Sequence, residues 1–252
     1  MIISIINQKG GVGKSTTALS LSVGLSLRNK KVLAIDMDGQ ANLTFTLKKK
    51  QYEYSLMDIL KKDKNIVDVM EQVNDNLYLV PADMSLTGAD MQLTEVGKEY
   101  RLKEALEPLK EKFEYIVIDT PPALGILTVN ALTASDTIIV PAQADIYSLD
   151  AIGRLYNTIK TIRQYTNPTL DIAGILLTRY SNRAILSREI KDMSETTADA
   201  LNTRLFKSTI RDAIAIKEAQ ANDLDIFTYA PKSNVAHDYE LFIEEFLELK
   251  EV

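Results

Sequence analysis

The chain has 252 residues, 46% of them hydrophobic and 25% charged, a globular balance with enough length to bury a sizeable core. It has no cysteine, which excludes disulfides, thiolate zinc sites and iron–sulfur clusters held by its own thiolates, and fits a reducing compartment. The net charge of −6 argues against a constitutive, charge-driven nucleic-acid binder, and neither a signal peptide nor an apolar run near the ~18 residues of a membrane span is present, so a soluble cytoplasmic protein is expected.

Short Ile/Val-rich runs alternate with longer segments whose apolar residues recur every three or four positions. Strands are expected at 2–6, 32–36, 77–80, 115–119, 137–141 and 172–178, and helices at 15–28, 102–112, 149–165 and 184–201. Runs this apolar suit strands buried on both faces, so the pattern predicts an α/β fold in which one mostly parallel, twisted sheet carries helices on both sides. No linker or repeat divides residues 1–252, and one domain is expected.

Between the first strand and the first helix lies Lys9-Gly10-Gly11-Val12-Gly13-Lys14-Ser15-Thr16. Closely spaced glycines leave the backbone amides of this turn, that of Val12 included, free to cradle phosphates, and the helix start adds the positive end of its dipole. Lys14 suits the β and γ phosphates, the Ser15 hydroxyl suits Mg2+, and Thr16 can reach the α phosphate, which makes ATP with Mg2+ the expected ligand of a P-loop NTPase fold. The second strand ends in Asp36-Met37-Asp38, where open α/β sheets bind ligands. A further apolar strand ends in Asp119 followed by Thr120-Pro121-Pro122 and reads as a Walker B element, with Asp119 holding magnesium through water.

Later in the chain, residues 179–217 carry eight Lys/Arg against five Asp/Glu, a basic segment on an acidic body. Lys48-Lys49-Lys50 reads as a solvated turn and His237, the single histidine, as a surface residue. The last helix places Tyr239, Phe242, Ile243, Phe246 and Leu247 on one stripe and glutamates on the other, which predicts core packing rather than a membrane-surface helix.

The phosphate loop departs from G-x-x-x-x-G-K-[ST] because Gln8 occupies the first glycine position, and K-G-G-V-G-K-S resembles instead the deviant Walker A signature of the ParA/MinD superfamily. Residues 36–42 resemble that family's D-x-D-P-Q-x-N box with Gly39 in place of proline, and residues 119–122 its D-T-P-P box. Together with 124–132, Val140-Pro141 and 229–233, these are similar to the short, chromosomal-type ParA (Soj) proteins. The resemblance implies that Lys9 crosses a dimer interface to the partner's ATP, the physical role of an arginine finger. It also implies that Asp38 holds the attacking water, Asp36 supports the magnesium shell and the loop, Gln40 and Asn42 shape a switch that Gly39 loosens, and Pro231 lies near the adenine. DNA contact without sequence preference falls by alignment on Arg183. A second family arginine falls on Ala215, with Lys217 two residues on.

A short form lacking an N-terminal DNA-binding domain is expected, since the first strand begins at residue 2. The implied function is plasmid or chromosome partition: an ATP-dependent homodimer binds DNA, and a ParB-like partner stimulates weak hydrolysis. Alternatives are a MinD-like membrane or positioning switch, an ATP-dependent metabolic ligase, an adaptor that does not turn nucleotide over, or a regulatory orphan of the same family.

Overall fold

The computed structural model describes residues 1–48, 52–181 and 185–249. Among the described residues eight strands, β1 (Ile2–Ile5), β2 (Val32–Asp36), β3 (Glu71–Gln72), β4 (Leu77–Val80), β5 (Tyr115–Asp119), β6 (Thr137–Gln143), β7 (Asp171–Tyr180) and β8 (Leu205–Arg211), form one sheet in the order β3-β4-β2-β5-β1-β6-β7-β8. Among the described residues every strand pair is parallel except β3 with β4. The helices are α1 (Lys14–Leu27), α2 (Asn42–Leu47), α3 (Leu56–Leu60), α4 (Ile66–Val69), α5 (Ala89–Gln92), α6 (Arg101–Leu106), α7 (Ile126–Ala134), α8 (Ile146–Tyr165), α9 (Ile185–Ala200), α10 (Ile214–Ala221), α11 (Ile226–Tyr229) and α12 (Asn234–Glu248).

Side chains alternate across each strand, so one apolar run feeds two layers. Leu33, Ile35, Ile116 and Ile118 pack with Leu56, Leu102 and Ala131 on one face. Their neighbours Val32, Ala34 and Val117 join Leu21 and Leu25 of α1 and Phe242, Ile243 and Phe246 of α12 on the other. Beyond β1, Ile138 and Val140 of β6 meet Ile152, Leu155 and Ile159 of α8. The apolar stripe of α12 is thus core, and His237 lies on its exposed side near Glu240.

The helices α1 and α12 meet at Gly24, where an added Cβ would stand 2.2 Å from Ile243 Cδ1 and 3.3 Å from Phe227. Alongside, α12 grips the outer strand β8. Glu245 accepts from the amides of Lys207 and Ser208 at 2.7 and 2.8 Å, and Asp238 accepts from the Arg211 amide at 3.0 Å while pairing bidentately with its guanidinium.

Some elements depart from their expected bounds, and two, β8 and α7, are not among the expected elements. The helix expected over 102–112 ends at Leu106 and passes into a 3-10 turn, Glu107–Leu109, because Pro108 has no amide to continue the ladder. Strand β6 runs past Pro141 to Gln143. Strand β8 is read from sequence only as basic residues, since an edge strand exposing Lys207 and Arg211 lacks the apolar run of its inner neighbours. The helix α7 is short and buried nearly all round, Thr128, Asn130 and Thr133 included, so no exposed polar face betrays its period. Lys48 pairs with Glu71, whereas Lys49, Lys50, Arg183 and the first residue of the expected 184–201 helix lie outside the described residues.

Candidate nucleotide site

The site forms where β1, β2 and β5 end side by side. Parallel register puts Asp36 directly opposite Asp119 and Asp119 opposite Ile5, so both carboxylates stand beside the turn that follows β1. That turn needs glycine at two positions, Gly11 with φ 75° and Gly13 with φ 86°, where other residues are strained. Gly13 leads into α1 with no side-chain cap, leaving the first-turn amides for an anion. The turn is held from outside: Thr178 Oγ1 of β7 donates to the Val12 carbonyl at 2.8 Å, Asn7 Oδ1 accepts from the Lys9 amide at 2.9 Å, and Gln143 Nε2 donates to the Gly11 carbonyl at 3.0 Å.

Above the turn opens a cleft of about 570 Å³, within the ~300–1,000 Å³ range of ligand pockets. Gly10, Gly11, Gly13, Lys14, Ser15 and Thr16 line it, together with Asp38. Of the residues singled out in the sequence, the phosphate loop, Asp36, Asp38 and Asp119 come together here. Pro231 is exposed ahead of α12 and is not among the cleft's lining residues, and Lys217 is exposed beside a small cavity that adjoins it at Gly13, Thr16 and Arg179. Sequence reasoning did not single out the wall residues Phe45, Thr46, Arg179, Gln220 and Asp223. Of these, Arg179 and Asp223 carry a local sign of their place, each a non-glycine residue at φ 50°, and that sign is conformational.

Electrostatics divide the two buried aspartates. Asp36 is pushed up to about 6, chiefly by burial, against the hydrogen bonds of Thr44 and the Asp38 amide. Its Oδ2 accepts from Thr44 N at 2.9 Å and Thr44 Oγ1 at 2.8 Å, and its Oδ1 from Asp38 N at 3.1 Å. Both oxygens therefore hold the loop, the second part of the expected role of Asp36. Asp119 is raised well above the usual carboxylate range by burial and by Asp36 beside it, opposed by the Ser15 hydroxyl and Lys14, and neither of its buried oxygens has a hydrogen-bond partner of acceptable geometry. A carboxylate orphaned in this way fits a divalent cation or its bound water, with Ser15 as the neighbouring oxygen ligand. Burial lowers Lys14, whose ammonium donates to the Lys9 carbonyl at 3.1 Å.

The loop after β2 is not slack. Gln40 N donates to Asp38 Oδ1 and Ala41 N to the Asp38 carbonyl. A Cβ at residue 39 would stand 2.6 Å from Thr87 Oγ1, so Gly39 gives close packing against the 84–88 turn rather than the looseness expected from the missing proline. Within this single chain the Lys9 ammonium turns to Asp145 Oδ2 at 2.5 Å, with Gln143 Oε1 and Ser148 Oγ each at 3.4 Å.

A family model described as an AAA domain matches residues 1–172. The sporulation initiation inhibitor protein Soj of Bacillus subtilis strain 168 is 38% identical over 242 residues, 94% of each chain. Among solved structures, a Borrelia burgdorferi B31 chain described as a plasmid partition protein and bound to AMPPNP is 30% identical with a TM-score of 0.82, covering 98% of both chains. Cobyrinic acid a,c-diamide synthase from Mycobacterium smegmatis, with bound ATP analog and magnesium, is 31% identical with a TM-score of 0.85, covering 99% of this chain and 95% of that one.

Proposed function

The chain belongs to the ParA/Soj family of P-loop ATPases, and from that membership we propose that it is a partition ATPase switched by its nucleotide. ATP with Mg2+ closes a homodimer, the dimer binds DNA without sequence preference, and a ParB-like partner releases it by stimulating a weak hydrolysis. Such a protein works in the cytoplasm on the nucleoid.

One observation carries the reading: a glycine turn with a lysine at each end sits beside an orphaned buried aspartate and an exposed-loop aspartate. In this assignment the turn and Lys14 hold the phosphates, Ser15 and Asp119 hold magnesium, and Asp38 orients the water that attacks the γ phosphorus. Magnesium, when bound by Ser15 and Asp119, would act there as a Lewis acid toward the phosphates. Asp36 keeps Asp38 in place through its amide, and Lys9 reaches the neighbouring protomer's phosphates, adding positive charge where the transferring group gains negative charge. Pro231 remains a proposed neighbour of the adenine, and Lys217 with Arg183 proposed DNA contacts.

A MinD-like membrane switch shares this chemistry, but the apolar stripe of α12 at Tyr239, Phe242, Ile243 and Phe246 is buried in the core rather than offered to lipid. No helix among the described residues is long and apolar enough to cross a membrane. The test is a titration of non-specific duplex DNA with ATP, ADP and no nucleotide, at two salt concentrations. Binding only with ATP, weakened by salt, is expected. Equal binding in all three states, or none, refutes the DNA switch, and ATP-dependent binding to anionic vesicles instead points to the membrane alternative.

A further inference from the structure

The lysine that the proposed mechanism sends across the interface is fully engaged at home. An ammonium has three protons, and three acceptors surround that of Lys9: Asp145 Oδ2, Gln143 Oε1 and Ser148 Oγ. All three come from the junction of β6 and α8, more than 130 residues away in sequence. Asp145 divides its carboxylate, since Oδ1 accepts from the Ser148 amide as the N-cap of α8 and Oδ2 takes Lys9 and the Ser148 hydroxyl. Both side chains of the pair are about two-thirds covered, at 30% and 31% exposure.

We propose that Asp145, with Gln143 and Ser148, is a latch that holds Lys9 within its own protomer and must open before Lys9 can serve a second copy of the chain. The proposal rests on the trans role given to Lys9 above. The same turn carries the coupling to nucleotide. Lys14 donates to the Lys9 carbonyl and Gln143 to the Gly11 carbonyl, so phosphates that draw Lys14 to themselves remove one of the bonds fixing Lys9's backbone. Latch and nucleotide thus compete for one segment, and the dimer forms only when both protomers have released.

Both lysines must leave for one dimer to close, so the latch enters the dimerisation constant twice. An ion pair about one-third exposed is worth about 1 kcal/mol, or roughly fivefold, and two of them about 25-fold. Asp145→Asn is the informative change. Asparagine caps a helix as well as aspartate does, yet it presents an amide donor to the ammonium in place of a charged acceptor.

The experiment uses the full chain as wild type, Asp145→Asn, Ser148→Ala and Lys9→Ala. The dimerisation constant is measured by sedimentation with magnesium and AMPPNP, and the rate of Lys9 acetylation in nucleotide-free protein by peptide mass spectrometry. Asp145→Asn is expected to tighten the dimer by about 25-fold and to speed Lys9 labelling several-fold. Ser148→Ala acts in the same direction with a smaller effect, and reports on the latch if the first variant does not fold. An unchanged or weakened dimer overturns the latch, even with faster labelling. If Lys9→Ala dimerises like wild type, the trans role fails first; if it does not dimerise and Asp145→Asn matches wild type, the trans role stands and the latch alone falls.

Discussion

Lys14 shows how one side chain is prepared for a ligand. It is 7% exposed, burial disfavours its charge, and Asp119 and Asp38 hold that charge in place. A triphosphate replaces a carbonyl contact with full charge pairing, so Lys14→Ala is expected to weaken magnesium-ATP binding at least about 100-fold by calorimetry. Asp38 does different work, since it lines the cleft and its carboxylate caps the Gln40 amide. Asp38→Ala should bind ATP and dimerise but lose turnover by about 100-fold or more, accumulating on DNA; rapid phosphate release by that variant assigns the water to another group. Both positions are legible in sequence as parts of the cleft, because glycine spacing and strand-terminal acids act locally, whereas the role of Asp38 comes from the family resemblance. The partners of Lys9 are not legible there: Asp145 and Ser148 lie more than 130 residues away, and the β1–β6 adjacency brings the cap they form to the phosphate turn.

Elements were legible where their own pattern decided them. Strands β2, β4 and β5 are apolar runs ending in turn signals and match their expected bounds, whereas β8 depends on α12 for its definition. The α1–α12 contact makes two predictions. Gly24→Ala adds helix propensity worth about 1 kcal/mol but drives a methyl into the fully buried Ile243, and a net loss of about 1–2 kcal/mol is expected in denaturant unfolding. Tyr239 is buried against Thr17 and Ser20, and burial pushes its phenol up to about 12 from 10.0, against the pull of those two hydroxyls. The folded state then retains a proton that the unfolded state gives up, so stability from this group is intact below pH 10 and lost as pH rises towards 12. Relative to Tyr239→Phe, the native chain should lose about 2–3 kcal/mol across that window.

At the scale of the molecule, a body of net charge −6 must bind a polyanion through a restricted surface, if the proposed function holds. Lys217, exposed next to Arg211 and close to the cleft, is a candidate for that surface. Lys217→Ala is expected to weaken ATP-dependent binding alike on all DNA sequences and to flatten the salt slope by about one per chain; an unchanged slope removes it from the contact.

Under the proposed function many copies would gather on one track, where strand-to-strand fusion is the standing risk. Here one flank of the sheet offers outward amides already claimed by the carboxylates of Glu245 and Asp238, and the other ends in a strand of two residues, too short to seed a neighbour. Crowding can then be reversible: copies have little means of annealing side by side, and their association is left to contacts that a change of ligand can undo.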